Sequence, residues 1–118
     1  MSKYDLEERT YQFAKRCRDF VKRLPKIIAN IEYGKQLIRS SGSQAENYIE
    51  ANEAVSKKDF CHRMKICRKE AKESSLWLRL CETGNDPELK KESEELMNEC
   101  IELRKIFSAI LAKSENHN

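Results

Sequence analysis

The chain has little glycine and little proline, and its apolar residues form no long run. Three glycines and two prolines occur among 118 residues, a composition that suits long helices better than sheets. No apolar stretch approaches the roughly 20 residues that cross a membrane, and residues 1–5 lack the apolar core of a signal peptide. We therefore expect a cytoplasmic protein that has no membrane partner.

The usual signatures of catalysis and metal binding are also missing from the sequence. It contains no glycine-rich phosphate loop, no nucleophile elbow and no His-Glu-x-x-His motif. No Cys-x-x-Cys pair exists, and Cys61 and Cys67 point to different sides of a helix. Glu50, Glu70 and Glu73 lack the Glu-x-x-His partner that carboxylate-bridged metal bundles require. We expect no catalytic residue, no metal and no cofactor, and hence no enzyme.

Apolar residues recur at spacings of four and three in three segments, which is the pattern of a helical bundle seam, and a further helical segment has a broad face of apolar and small residues. Pro25 ends the first segment, because a proline pushes the preceding residue out of the helical region. Ser56 with Asp59 is a variant capping box, and Asp86 with Pro87 supplies an N-cap and a first helical residue. The pattern predicts one all-α domain over residues 1–118, an antiparallel up-down-up-down four-helix bundle with helices at 5–24, 28–54, 57–82 and 87–113.

The five cysteines fit a reducing compartment. Cys17, Cys67 and Cys100 follow the four-three spacing of the core seams. A free thiol packs there as a small hydrophobe. We expect all five to be reduced and these three to be inaccessible in the folded protein.

The third predicted helix carries two apolar stripes. One follows the four-three spacing from Phe60 to Cys81 and forms the core seam. The second consists of Ile66, Trp77 and Leu80, at least about 120° away at 100° per residue. Because a monomeric bundle buries only one stripe, we predict that the second lies in an oligomer interface. The alternative is that Trp77 folds over a neighbouring loop of its own chain.

An uncharged polar seam runs along the second predicted helix. Ser40, Ser43, Asn47 and Glu50 recur at spacings of three and four between an apolar face and a charged face. One interpretation is a solvated flank. The other is a packing motif that sets the register of association, because buried polar groups must find partners.

Positive charge is concentrated in the first part of the chain. Residues 1–72 hold 17 Lys and Arg against 10 Asp and Glu, whereas residues 73–118 hold 6 against 10. Such a surface can bind phosphates by releasing counterions, although lysines and arginines also serve simply to solvate helix flanks. No base-reading motif is visible, so the predicted contact with RNA or DNA is non-specific. The candidate nucleic-acid-binding residues are Arg16, Lys22, Arg23, Lys57, Lys58, Arg63, Lys65, Arg68 and Lys69.

Three motifs together resemble a known family. They are Arg39-Ser40-x-x-Ser43-x-x-x-Asn47-x-x-Glu50-Ala51, then Ser56-Lys57-Lys58-Asp59-Phe60, then Lys69-Glu70-Ala71-x-Glu73-x-x-x-Trp77-Leu78-x-Leu80. They resemble the bacterial four helix bundle protein family, whose founding members are encoded by intervening sequences in 23S ribosomal RNA genes. The resemblance covers roughly residues 4–111, with Gln44 as a mild departure.

The resemblance implies a homopentamer of antiparallel helical bundles without enzymatic activity. The chain is also similar to the accessory protein of diversity-generating retroelements, a basic pentamer that partners a reverse transcriptase. We therefore expect a homo-oligomeric protein that binds RNA or DNA through basic patches. The alternatives are a protein–protein adaptor, such as an accessory partner of a reverse transcriptase, and a purely structural protein.

Overall fold

The computed structural model describes residues 3–116, and the side chains of residues 5–116. It consists of four helices, α1 (Lys3–Arg23), α2 (Ile28–Asn52), α3 (Lys57–Leu80) and α4 (Pro87–Glu115). No strand occurs within these residues. The predicted all-α four-helix bundle is confirmed, and each helix end lies within two residues of its predicted position.

The helices form an elongated bundle that measures 52 × 23 × 19 Å. Each helix packs against its neighbours in sequence, and α1 closes the bundle against α4. Ion pairs show that α1 and α4 are antiparallel, because Arg9 contacts Glu99 at 2.7 Å and Arg16 contacts Glu92 at 2.7 Å. The diagonal pairs, α1 with α3 and α2 with α4, show no close backbone approach within the described residues. Across the core, however, the ring of Tyr48 on α2 lies 6.5 Å from that of Phe107 on α4, measured between centroids.

Local sequence explains where the helices begin. The Ser56 hydroxyl accepts a hydrogen bond from the Asp59 N–H at 3.0 Å, and the Asp86 carboxylate accepts from the N–H groups of Glu88 and Leu89. These side chains satisfy backbone donors that have no partner inside the helix. Both predicted N-caps are confirmed.

Helix α2 ends two residues earlier than predicted. Ser56 must adopt an extended conformation, with φ −154° and ψ 162°, to cap α3. The chain therefore leaves the helical conformation before it reaches Ser56. Val55 consequently lies in the loop with 95% of its surface exposed.

The core runs along the bundle axis and is built from one seam of each helix. Its largest fully buried side chains include Phe13, Phe20 and Phe107. Cys17, Cys67 and Cys100 are buried among them with free thiols, and their predicted burial is confirmed. Burial raises the pKa of Cys17, and it raises the pKa of Cys67 and of Cys100 to about 12.

The two ends of the bundle are distinct. At one end, called here the Pro25 end, the loop between α1 and α2 meets the loop between α3 and α4. Asn30 joins these loops, since its amide donates to the carbonyls of Pro25 at 3.0 Å and Glu82 at 2.9 Å and its oxygen accepts from the Glu82 N–H. The Ser56 end holds the loop between α2 and α3, and there Asn52 donates to the Glu7 carboxylate.

Candidate nucleic-acid interface

A basic groove lies between α3 and α4. On α3 the cationic residues repeat at roughly one-turn spacing, which places them along one side of the helix. Helix α4 runs antiparallel beside them and contributes two more cations and a serine. The groove is open to solvent and has a volume of about 570 Å³; it is lined by Lys65, Arg68, Lys69, Lys72, Arg104, Lys105 and Ser108.

Few acidic groups neutralise this groove. Lys65 contacts Glu115 at 3.6 Å, and Lys105 contacts Glu102 at 3.9 Å. Both pairs are exposed, so each contributes little. The remaining four cations make no ion pair with the described residues; they are Arg68, Lys69, Lys72 and Arg104. The groove therefore presents a net positive field to any approaching anion.

The structure brings three of the predicted nucleic-acid-binding residues into this groove, namely Lys65, Arg68 and Lys69. Arg104 and Lys105 were not predicted. The sequence does contain a signal for these two residues. The first half of α4 is rich in glutamate, and the charge becomes positive at Arg104 and Lys105. Sequence alone does not reveal which side of α3 they join, because that depends on helix packing.

The other predicted residues lie elsewhere on the surface. Lys57 and Lys58 are exposed at the start of α3, and Lys22 and Arg23 are exposed at the end of α1. Because α1 lies diagonally opposite α3 in the bundle, the α1 residues cannot extend the groove directly. The predicted set is thus spread over several separate parts of the surface.

Arg16 is engaged within the subunit. It contacts Glu92 at 2.7 Å and Glu95 at 3.5 Å on α4. The hydrogen bond to Glu92 raises the pKa of Arg16 above its ordinary value. Its charge is therefore largely compensated, and its geometry indicates a role in joining α1 to α4.

Arg63 is also held within the subunit. It is half-buried and donates to the Asn47 side-chain oxygen at 3.0 Å. The Asn47 amide in turn donates to the carbonyl and hydroxyl of Ser43 at 2.9 and 3.0 Å. Part of the predicted polar seam thus pairs α2 with α3.

The rest of the seam forms a buried network around Ser74 of α3. Ser40 and Ser74 hydroxyl oxygens are 2.7 Å apart, and the Gln44 amide donates to Ser74 at 2.9 Å. All three residues are fully buried. Glu50, by contrast, is exposed and does not join them. The seam therefore contacts α3 within one subunit, apart from Glu50.

Two buried polar atoms have no hydrogen-bond partner in the described part of the chain. They are the Gln44 side-chain oxygen and the Trp77 indole nitrogen. Gln44 has nonetheless found one good partner in Ser74. This hydrogen bond explains how the Gln44 amide is accommodated in the core.

Trp77 is not fully exposed in the single subunit. It is half-buried against the core and stacks on Tyr33 of α2, with ring centroids 5.8 Å apart. The prediction assumed that the second stripe of the third helix is unburied in a single subunit, and for Trp77 this assumption is wrong. Trp77 packs over helix α2 and not over a loop. Ile66 is half-buried and Leu80 is 38% exposed. Their place in an oligomer interface stays a prediction.

The described residues contain neither a metal-binding cluster nor a membrane-spanning helix. No group of three or more His, Cys, Asp or Glu residues there is arranged to hold a metal ion. Among the four helices, none combines the length and the apolarity that a membrane span requires.

Comparisons with known proteins place the chain in a family. No curated protein matches it. A crystal structure of a Bacteroides thetaiotaomicron protein of unknown function, from the S23 ribosomal protein family, matches with a TM-score of 0.80 and 27% identity, covering 95% of this chain and 99% of that one. The profile of the 23S rRNA-intervening sequence proteins matches residues 2–109. The chain therefore belongs to the 23S rRNA-intervening sequence protein family.

Proposed function

We propose that this protein binds RNA or DNA non-specifically through the basic groove between α3 and α4. The observation that carries the proposal is the convergence of six cationic side chains on one open groove. Four of these cations have no ion-pair partner in the described residues. Each phosphate that they neutralise would release counterions, and this favours binding at low salt.

The lining of the groove supports contact with the phosphate backbone rather than with bases. It contains lysine, arginine and one serine, and no aromatic side chain on which a base could stack. Affinity should therefore depend strongly on salt and weakly on sequence.

Self-association would strengthen such binding. We propose that the protein acts as a homo-oligomer, and five copies is the number that the family resemblance implies. Repeating one groove around a symmetry axis turns several weak contacts into one stronger interaction. A chain of net charge +3 would thereby present a more extensive cationic surface.

The test is a salt titration of RNA binding with matched variants. Arg68→Ala with Arg104→Ala removes two groove cations, and Lys90→Ala with Lys91→Ala removes two exposed cations outside it. We expect the first pair to lower the slope of log affinity against log salt by about one per residue and the second to leave it unchanged.

Two results would contradict this proposal. One is the absence of RNA or DNA binding at low salt, and the other is an equal loss of affinity in both pairs of variants. If an acidic protein binds and RNA does not, the adaptor function is favoured instead.

A further inference from the structure

A straight row of basic side chains follows the exposed face of α3 and extends beyond the groove. Its members recur at spacings of four and three, so at 3.6 residues per turn they lie within an arc of about 80°. All of them are exposed, and they are called here the α3 row: Lys58, His62, Lys65, Lys69 and Lys72. The row is about 21 Å long. Its last three members line the groove, and its first two continue toward the Ser56 end.

The α3 row keeps most of its charge in the folded subunit. Glu70 and Glu73 of the same helix are held by Arg39 of α2, at 2.9 and 3.1 Å. Among the described residues, Glu115 is the one acid that forms an ion pair with the row, 3.6 Å from Lys65. That pair is exposed and therefore weak. The row can thus attract an anion along its whole length.

The composition of the α3 row favours a phosphate backbone over a protein partner. The centre of a protein–protein interface is depleted of lysine and enriched in aromatic side chains. The row instead consists of lysines and one imidazole, and it contains no aliphatic residue. Each of these side chains can donate a hydrogen bond to a phosphate oxygen, and an imidazole does so in either protonation state.

The straightness of the row selects a single strand over a duplex. A strand of B-DNA completes one turn about the duplex axis in about 34–36 Å. Over the length of the α3 row, such a strand winds through more than half a turn and therefore leaves the row. An unpaired strand has no such constraint and can extend along every member of the row.

The second wall of the groove supports the same choice. Arg104 and Lys105 of α4 lie across the groove from the α3 row, and half-buried Ser108 lines it between them. Packed helices have axes about 8–10 Å apart, whereas the major groove of a duplex is already about 12 Å wide. A duplex therefore rests on the rims of this groove. A single backbone can enter it and contact both walls.

We propose that the α3 row and the groove together bind an unpaired strand of RNA or DNA through its phosphates. The inference rests on the proposed function and adds two statements to it. The ligand is single-stranded, and the site extends beyond the groove to Lys58 and His62. The strand lies parallel to α3 and is held without recognition of its sequence.

The first test compares single strands with duplexes of the same sequence. A short unstructured RNA, the DNA of the same sequence and the duplex of each are titrated with the native protein at low salt. We expect each single strand to bind more tightly than its duplex, and the comparison of the two single strands shows whether RNA or DNA is preferred. Equal or tighter binding of the duplexes would overturn the inference and leave the proposed function standing. If no nucleic acid binds, the proposed function fails as well.

Lys58→Ala tests the extension of the site, because Lys58 belongs to the α3 row but does not line the groove. For a single strand, we expect this change to reduce the slope of log affinity against log salt by about 0.7. Lys113→Ala is the matched control. Lys113 is exposed at the same end of the bundle, roughly 140° around α4 from Ser108, and its loss should leave the slope unchanged. The same slope in Lys58→Ala and in the native protein would overturn the extension.

Competition with poly-glutamate tests the class of the ligand. We expect poly-glutamate to displace the single strand poorly at an equal concentration of negative charge, because successive side chains of an extended peptide point to opposite sides. Efficient displacement would assign the α3 row to an acidic protein and overturn the proposal.

Discussion

Gly34 and Gly42 show how two glycines in one helix serve different purposes. A Cβ at Gly34 would lie 2.8 Å from a Val21 methyl carbon, so this glycine allows α1 and α2 to pack closely. A Cβ at Gly42 would meet open space. The first glycine is therefore explained by packing inside the subunit, whereas the packing of the subunit does not require the second.

This difference predicts that the two glycines respond differently to substitution by alanine. Gly42→Ala should raise the free energy of unfolding by about 0.5–1 kcal/mol, because alanine favours the helix and the new methyl group meets no atom within 4 Å. Thermal or urea unfolding measures the change.

Gly34→Ala is the matched comparison. Its gain in helix propensity is opposed by the contact with Val21, so it should stabilise the subunit less than Gly42→Ala does. Equal gains in stability in the two variants would contradict the assignment of Gly34 to close packing against Val21.

At the scale of the helices, α2 and α3 are joined by a polar network as well as by apolar packing. Toward one side of this junction, Arg39 contacts Glu70 at 2.9 Å and Glu73 at 3.1 Å. Further inside, Ser40 and Gln44 share Ser74. Buried polar groups that satisfy one another disfavour other alignments of the same two helices. The seam thus helps to define the register between α2 and α3.

Ser74→Ala should destabilise the protein by roughly 2–4 kcal/mol. The change removes the acceptor of the Gln44 amide and leaves that buried group without a partner, in addition to its already unpaired oxygen. Adding Gln44→Met, which replaces the amide by an apolar group of similar size, should recover most of the loss. Urea unfolding of the single and double variants measures both effects, and a double variant as unstable as the single one would contradict the assignment.

At the scale of the whole molecule, the core contains several buried thiols. Burial raises the pKa of Cys67 and of Cys100 to about 12 and that of Cys81 to about 11, from an ordinary value of 9.0. In the unfolded chain these thiols ionise near their ordinary pKa. Above that pH the unfolded state has lost protons that the folded state still holds, so stability falls as pH rises.

The protein should therefore lose stability between about pH 9 and pH 11. Between its unfolded and its folded pKa, each buried thiol lowers the free energy of unfolding by roughly 1.4 kcal/mol per pH unit. Cys67→Ala removes one such group. Although the variant is less stable at pH 8, its free energy of unfolding should fall less steeply from pH 8 to pH 10. Urea unfolding of both proteins at pH 8 and at pH 10 measures this difference in slope. Equal slopes in both proteins would mean that Cys67 ionises normally in the folded state.

The distribution of charge is also a property of the whole molecule. Residues 14–40 and 57–68 carry net positive charge, whereas residues 41–56 and 69–99 carry net negative charge. Ion pairs within the subunit, such as Arg9 with Glu99, use only part of this charge. The remainder is available for a partner.

The sequence by itself determines the number and the limits of the helices. Their signals are local: Pro25 stops α1, Ser56 and Asp86 cap α3 and α4, and the four-three apolar spacing identifies each core seam. Local signals depend on residues a few positions apart, so they can be read without knowledge of the fold. The buried positions of Cys17 and Cys100 follow from the same spacing.

Only the tertiary structure decides which side chains from different helices meet. Arg104 joins Arg68 in one groove, whereas Arg63 is drawn to Asn47 and Arg16 to Glu92. These outcomes depend on which helices are neighbours and on how each is rotated about its axis. The spacing of residues along one helix indicates neither its neighbours nor its rotation. For the same reason the half-burial of Trp77 against Tyr33 and the exposed apolar junction of α1 with α2 appear only once the four helices are packed together.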